Sequence, residues 1–409
     1  MRQRETRMNR IVGQAITGAV CGGALIALAA APPVRAAEFR MEWGGYMEQH
    51  LAYASYDAPT AKGFDGADGV GAMMLFFEPS LTFGAATRAG ASVRLDGFYG
   101  ETNSRFAFER AALYAEGAFG RLEIGKLDTP GNSLHAGAPA PFGPMVGIAH
   151  ISDSALASFL PYAGVHNNRL VGSDVRRGTL GATRVANSGA ETHGRIRYFT
   201  PRMGGIRFGA SYAPESPKDA PNRADFIDLG VDYRLATASG VDLHASGKWG
   251  VADNTAAPGA DPGYYGAGLS IGYGGFTLGG SYSESHGSAQ GVSDGRAYEL
   301  GARYQRGRYG ISLAYLNGEN TDDENAAFGA KERLEAVTLG VNYDLFGAPG
   351  KRRRDPAPDS APARADFGGD LFGYVSYARF REDMGDGGAG TPGDDIDGFV
   401  IGTGFRLSF

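Results

Sequence analysis

Apolar and polar residues alternate with a period of two along most of this chain, and long amphipathic helical periodicity is nearly absent. The final stretch shows the pattern in full. Phe399, Ile401, Thr403, Phe405, Leu407 and Phe409 fall on one face, while Gly398, Val400, Gly402, Gly404, Arg406 and Ser408 fall on the other. Similar segments run over 39–53, 73–85, 91–100, 106–117 and 121–127. After a long irregular stretch come 195–200, 206–213, 225–235, 241–251, 264–273, 276–284, 296–305, 309–316, 332–345, 370–381 and 396–409. That makes sixteen predicted strands. Many are about ten residues long, the length a tilted strand needs to cross a bilayer.

The connections alternate in length as well. Very short ones fall near Arg88, Gly120, Gly204, Ser239, Gly274 and Gly307; longer polar ones fall near Ala61, Asp219, Asn254, Ser288, Asp323 and Gly388. Short turns on one rim and long loops on the other are the mark of an outer-membrane barrel. The predicted fold class is therefore all-β: a transmembrane antiparallel β-barrel of sixteen strands. An even count returns the C-terminus to the periplasmic side on which the first strand starts.

Two connections break the rule. Residues 128–193 are too many for an ordinary loop, and they carry Phe142, Met145, Val146, Ile148, Ile151, Leu156, Phe159 and Leu160. Ser152 and Asp153 are placed to cap a short helix that Pro161 would stop. Apolar material of this kind suits a segment folded into the barrel and packed on its inner wall. The alternative is an exposed or oligomer-contacting loop. Residues 347–367 hold Lys351-Arg-Arg-Arg354 and a Pro/Ala/Asp-rich stretch where a tight turn is expected. Their composition reads as disordered, an insertion on the periplasmic side that is either simply tolerated or contacts an anionic partner.

Composition agrees with a barrel. The 409 residues include 65 Gly, 20 Tyr and 23 Phe but 2 Trp. Glycine fits lumen positions and tight turns, and aromatics fit interface girdles. No apolar run of helix-spanning length follows residue 37. Arg2, Arg4, Arg7 and Arg10, an apolar stretch and Val34-Arg35-Ala36 read as a secretory signal peptide over residues 1–36, leaving 37–409 as the mature barrel domain. The single cysteine, Cys21, would leave with it, so no thiolate chemistry is expected. Removing five Arg and one Glu from a formal charge of −6 leaves the mature chain near −10. Such acidity argues against nucleic acid as a partner.

Alternation also assigns faces, because a midplane Arg or Lys facing lipid costs roughly 2–4 kcal/mol. Ile227, Leu229, Val231, Tyr233 and Leu235 are expected to face out, as are Val241, Leu243, Ala245 and Trp249. Asp228, Asp232, Arg234, Asp242, His244, Ser246 and Lys248 are expected to face in. Glu299, Arg303, Asn342, Asp344 and Arg406 join them, with Arg94, Asp96, Arg195, Arg197 and Arg207.

Three passages carry a family resemblance. Residues 106–126 (FAFERAALYAEGAFGRLEIGK) resemble the strand-turn-strand before the long loop of Gram-negative general porins, most closely the alphaproteobacterial kind. Residues 195–213 (RIRYFTPRMGGIRFGASYA) resemble the strand-turn-strand after it, and the terminal strand ending in Phe409 is the third. The resemblance implies a trimeric, water-filled channel in the cell outer membrane, with a third external loop that narrows the pore. Small hydrophilic solutes and ions would pass by diffusion. It also implies that Phe409 belongs to a C-terminal signal read by the barrel-assembly machinery. The insertion at 347–367 and the length of 128–193 depart from the family pattern.

On that reading Arg94, Arg195, Arg197 and Arg207 are candidates for a basic wall, faced by Asp153, Asp128 and Asp174 from the loop. Opposed charges across a narrow pore set up a transverse field that filters by polarity as well as size. Arg169, Arg176, Arg177 and Arg184 form a further basic group late in the loop.

Enzyme signals are weak. Gly120–Lys126 fits phosphate-loop spacing but lacks the hydroxyl residue after Lys126 and alternates like a strand. Gly268-Leu-Ser-Ile-Gly272 fits the nucleophile-elbow pattern at Ser270, but it too sits mid-strand, and no clustered base or orienting group is evident. No metal-binding His pair at helical spacing occurs, and no cofactor is expected. Asp322-Asp323-Glu324 and Asp394, Asp395 and Asp397 allow at most weak structural Ca²⁺, and read first as solvated loops facing lipopolysaccharide. The alternatives to a general channel are a solute-specific channel and an enzyme or adhesin built on a barrel.

Overall fold

In the computed structural model the described residues are 38–57, 66–84, 87–99, 104–139, 179–184, 194–214, 223–254, 261–286, 294–321, 329–346, 367–384 and 395–409. The predicted signal segment and most of 347–367 lie outside them.

Alternating sequence becomes sixteen strands: β1 Glu38–Asp57, β2 Gly66–Phe83, β3 Thr87–Tyr99, β4 Ser104–Gly117, β5 Gly120–Lys126, β6 Gly194–Phe199, β7 Ile206–Ala213 and β8 Arg223–Ala236. Then come β9 Asp242–Asn254, β10 Gly263–Tyr273, β11 Phe276–His286, β12 Gly295–Arg306, β13 Tyr309–Thr321, β14 Lys331–Asp344, β15 Gly368–Glu382 and β16 Asp395–Ser408. Each pairs antiparallel with its neighbours in sequence, and β1 pairs with β16, so the sheet closes into a barrel. Closure leaves no open edge, which is what a sheet surrounded by hydrocarbon requires. The β10–β11 hairpin turns on Gly274 and Gly275, both at positive φ (58° and 89°), the geometry of a tight two-residue turn.

Exposure confirms the faces. Leu313, Leu339, Val375 and Ile401 are direct register partners across β13–β16, and all point outward. Aromatic girdles flank this band. On the short-turn rim Phe276 stacks on Tyr304 at 4.2 Å, and Tyr309 meets Tyr343 at 5.1 Å. On the other rim tyrosine hydroxyls donate to outward carboxylates: Tyr282 to Glu284 (2.7 Å), Tyr315 to Glu335 (2.6 Å) and Tyr377 to Asp397 (3.0 Å). A tyrosine buries its ring in the apolar layer and keeps its hydroxyl in the wet one. On β13, Tyr309 and Tyr315 stand about 20 Å apart along the strand, close to the thickness of the apolar band.

Two irregularities escape a strict period of two. Register slips between Arg94 and Leu95, where Glu109 is the extra residue on β4. That bulge lets Phe106 and Phe108 face out with Leu113, although their parity differs. A second slip lies between Ala224 and Ile227 on β8. Beyond the slip Ile227 keeps the outward face of Leu229, as expected, and is covered there by its register partners Tyr212 and Val251. Asp242, at the very start of β9, is exposed but shares the inward face, with its Cβ 3.6 Å from the Cβ position of Gly272.

The seam at β1–β16 runs to the last residue. Phe409 exchanges backbone hydrogen bonds with Gly45 (2.9 and 3.1 Å), and its ring lies 6.2 Å from Trp43. Phe409→Ser keeps the backbone pair and loses the ring. The expected result is less assembled barrel on a heat-modifiability gel, with unchanged conductance in the copies that insert. Wild-type yield would count against a role for the ring.

Candidate pore lining

The inner wall is polar and mixed in sign over β5 to β12, whereas the inward faces of β13 to β16 and β1 carry an apolar cluster that includes Leu316, Leu334, Phe372, Tyr374, Phe380 and Val400. Glu123, Arg195, Arg197, Asp228, Asp232, Lys248 and Glu299 all sit on the polar part, buried. What covers several of them is the long connection after β5. Its described ends, residues 127–139 and 179–184, lie on the inner faces of β6 to β13.

The outgoing end starts with one helical turn, Pro130–Ser133. Thr129 Oγ1 caps it by accepting from Asn132 N (3.3 Å), and Pro130 occupies the first turn, where its missing N–H costs nothing. Beyond it Ala136 N donates to Ser246 Oγ (2.7 Å) and Ala138 N to Glu299 Oε1 (3.0 Å). The returning end begins at Thr179, whose N donates to Asn320 Oδ1 (3.0 Å) and whose Oγ1 donates to Glu319 O (2.7 Å). Lys248 links both ends, donating to Asn132 Oδ1 (3.1 Å) and Thr183 O (2.6 Å). Ser281 Oγ lies 2.6 Å from Glu299 Oε1 and 2.7 Å from Thr183 Oγ1.

The structure revises the candidate basic wall. Arg197 is fully buried, paired with Glu123 at 2.6 Å, and donates to Asp128 O (2.8 Å) and Ser133 Oγ (2.7 Å). Arg195 is equally buried against Asp228 (2.8 Å), which also accepts from Tyr264 Oη (2.7 Å). Both arginines are tied up under the loop rather than open to solute. Arg207 stacks over Phe199 at 4.6 Å and donates to Thr200 O. Arg94 is partly open and pairs with Asp96 (3.1 Å). Asp128 and Arg184, read as members of separate groups, meet at 3.2 Å. Asp153, Asp174, Arg169, Arg176 and Arg177 lie outside the described residues.

Other expected lumen charges find partners as well. Asp232 accepts two bonds from Arg202 (2.8 Å each) and one from Arg234 (2.8 Å), and lies 3.3 Å from His244 Nε2. Arg303 sits on the inner face of β12 opposite Thr277. Asp395 and Asp397 are held by Arg379 and Tyr377; the remaining acids of those two loop stretches lie outside the described residues.

Sequence reading missed a charge ladder on β1–β5. Arg88 bridges Glu42 (3.3 Å) and Glu116 (2.7 Å); Arg121 bridges Glu116 (2.8 Å), Glu123 (3.0 Å) and Glu78 (3.4 Å). Both guanidinium groups lie over the Tyr114 ring, at 5.5 and 4.0 Å. Arg121 and Glu123, two apart on one face, were the available signal. A buried pair on β1 was also unforeseen: His50 lies 3.3 Å from Glu48 and 3.4 Å from Tyr374 Oη.

Ser270 stands directly opposite His244 in the β9–β10 register, with Asp232 beyond, an arrangement sequence reading did not find. Its chemistry is poor for acyl transfer. Asp232 is committed to two arginines, and β10 is paired along both edges, so its backbone N–H groups serve the sheet rather than an oxyanion. The stretch with phosphate-loop spacing is simply β5.

Comparison with known proteins gives a consistent result. The Gram-negative porin family profile matches residues 24–348. An anion-selective porin from Comamonas acidovorans has a similar structure: TM-score 0.55 and 18% identity, over 91% of this chain and 100% of that one. A loop L8 deletion mutant of OmpT, an outer membrane protein of Vibrio cholerae, gives 0.52 and 14%, over 91% and 99%. The trimer form of in-vitro folded OmpT gives 0.50 and 14%, over 91% and 99%. No curated protein sequence matches the chain. At such identities the structures speak for the fold alone, and it is the family match over most of the chain, on a closed sixteen-strand barrel, that makes this chain a member of the Gram-negative porin family, resident in the outer membrane.

Proposed function

We infer that the barrel is a general diffusion channel, passing small hydrophilic solutes and ions without a reaction of its own and without a cofactor. The observation that carries this reading is the inner wall, polar and mixed in sign over β5 to β12, with the ends of a long loop laid against it. Such a wall offers water-like surroundings to many solutes and a dedicated track to none. The partly open charges at Arg94, Asp96, Asp128 and Arg184 are the best described candidates for the groups that solutes meet. Residues 140–178, which join the two seated ends, would supply the rest of the constriction, Asp153 and Asp174 among them.

A homotrimer is the proposed assembly, supported by the trimer form among the similar structures. Lipopolysaccharide would contact the tyrosine–carboxylate rim, and the barrel-assembly machinery would read the strand ending at Phe409.

Purified protein in liposomes tests the reading. Swelling rates in sugars of graded size should fall smoothly to a cutoff, with no saturation. Saturable block by one solute class would establish the specific channel instead. Hydrolysis of an ester substrate abolished by Ser270→Ala would favour the enzyme.

A further inference from the structure

The inner wall is notched where the loop crosses it. Gly209 on β7, Gly230 on β8, Gly268 on β10, Gly279 on β11, Gly301 on β12 and Gly318 on β13 all face inward beneath the described loop ends. A Cβ at Gly268 would come within 1.7 Å of Ala136 O; one at Gly279, within 2.3 Å of Gly137 O. At Gly318 it would meet Leu180 O at 2.0 Å, and at Gly230 it would meet Gly131 N and Pro130 at 2.8 Å. The fit is reciprocal. Gly131 in the loop lies where a Cβ would strike Lys248 Cβ at 2.4 Å, and at Gly137 it would strike Glu299 Oε1 at 2.2 Å. On β9 the wall carries Ser246 and Lys248 instead, which bond to the loop. Notches and polar anchors thus share one path.

We propose that this row of glycines is the seat that sets how far the loop stands off the wall, and so determines the free cross-section of the channel. This rests on the channel reading above. A polar anchor holds the loop in place but tolerates small displacements. A missing side chain sets the depth, because backbone contacts backbone with nothing between. Ordinary contact needs about 3.5 Å, so a Cβ at Gly268 forces Ala136 inward by about 2 Å. Inward means into the pore.

The test compares single-channel conductance and sugar cutoff for Gly268→Val, Gly279→Val and a control, Gly272→Val. Gly272 faces inward on β10, but a Cβ there has nothing nearer than 3.6 Å. The seat predicts that Gly268→Val and Gly279→Val lower conductance about twofold and exclude the larger sugars, while Gly272→Val matches wild type. Single-channel recording counts inserted copies alone. If the valine variants do not assemble, Gly279→Ala, one methyl, serves in their place and should show a smaller drop in the same direction. Wild-type conductance and cutoff in assembled Gly268→Val and Gly279→Val, or in Gly279→Ala where that replaces them, overturn the proposal. So does an equal drop in Gly272→Val. A wild-type protein that conducts nothing overturns the channel reading itself.

Discussion

Arg197→Ala should produce a barrel that is easier to unfold and a channel whose conductance is larger and noisier than wild type. Arg197 is the point where the wall and the loop's first turn meet, holding Glu123 on one side and both Asp128 O and Ser133 Oγ on the other. Removing one partner of a buried pair costs about 3–5 kcal/mol, because the other charge stays behind in a place without water. Glu123 keeps Arg121 at 3.0 Å, which places the loss toward the lower end of that range. Two anchoring bonds to the loop disappear with the guanidinium, so the turn Pro130–Ser133 is released from the wall. Arg197→Lys keeps the charge but lacks the planar fork that reaches three acceptors, and should recover stability better than quiet conductance. Urea-dependent unfolding in detergent and current noise in planar bilayers separate the two effects. Wild-type values in both would mean that Arg197 does not hold the loop.

Leu313→Arg should destabilise the barrel in a bilayer by about 2–4 kcal/mol, whereas Tyr309→Arg on the same strand and face should cost about 0–1 kcal/mol. Leu313 lies in the outward apolar band with Leu339 beside it, and Tyr309 lies in the girdle at the short-turn rim. A guanidinium in mid-hydrocarbon must drag water with it, whereas at the rim it extends into the headgroups. Folding equilibria in thin bilayers give both numbers. Equal penalties would mean that the apolar band is misplaced along the strand.

Much of this architecture was legible residue by residue. Alternation located all sixteen strands and put Lys248, Glu299, Asp228 and Asp232 on the inner wall, because successive side chains must point to opposite faces. A strict period of two breaks at Glu109 and just before Ile227, where a bulge inserts one residue and parity changes without any change in composition. Several strands also run farther toward the long-loop rim than expected. β2 begins at Gly66 rather than Met73, and β13 continues to Thr321, because those stretches are rich in Gly, Asn and Asp and carry little apolar signal.

The sequence by itself determined the strands, their faces, the parity of the barrel and its kinship with porins. All of these follow from local alternation, turn residues and short motifs. The fate of the charges was decided by tertiary structure. Arg197 meets Glu123 across 74 residues, Lys248 meets Asn132 across 116, and Ala138 meets Glu299 across 161. Those partnerships depend on strand register and on the path of a loop, and neither is written into the neighbouring residues. A period of two says that an arginine faces inward. Whether it greets a solute or is sealed under the chain depends on what the closed barrel brings over it.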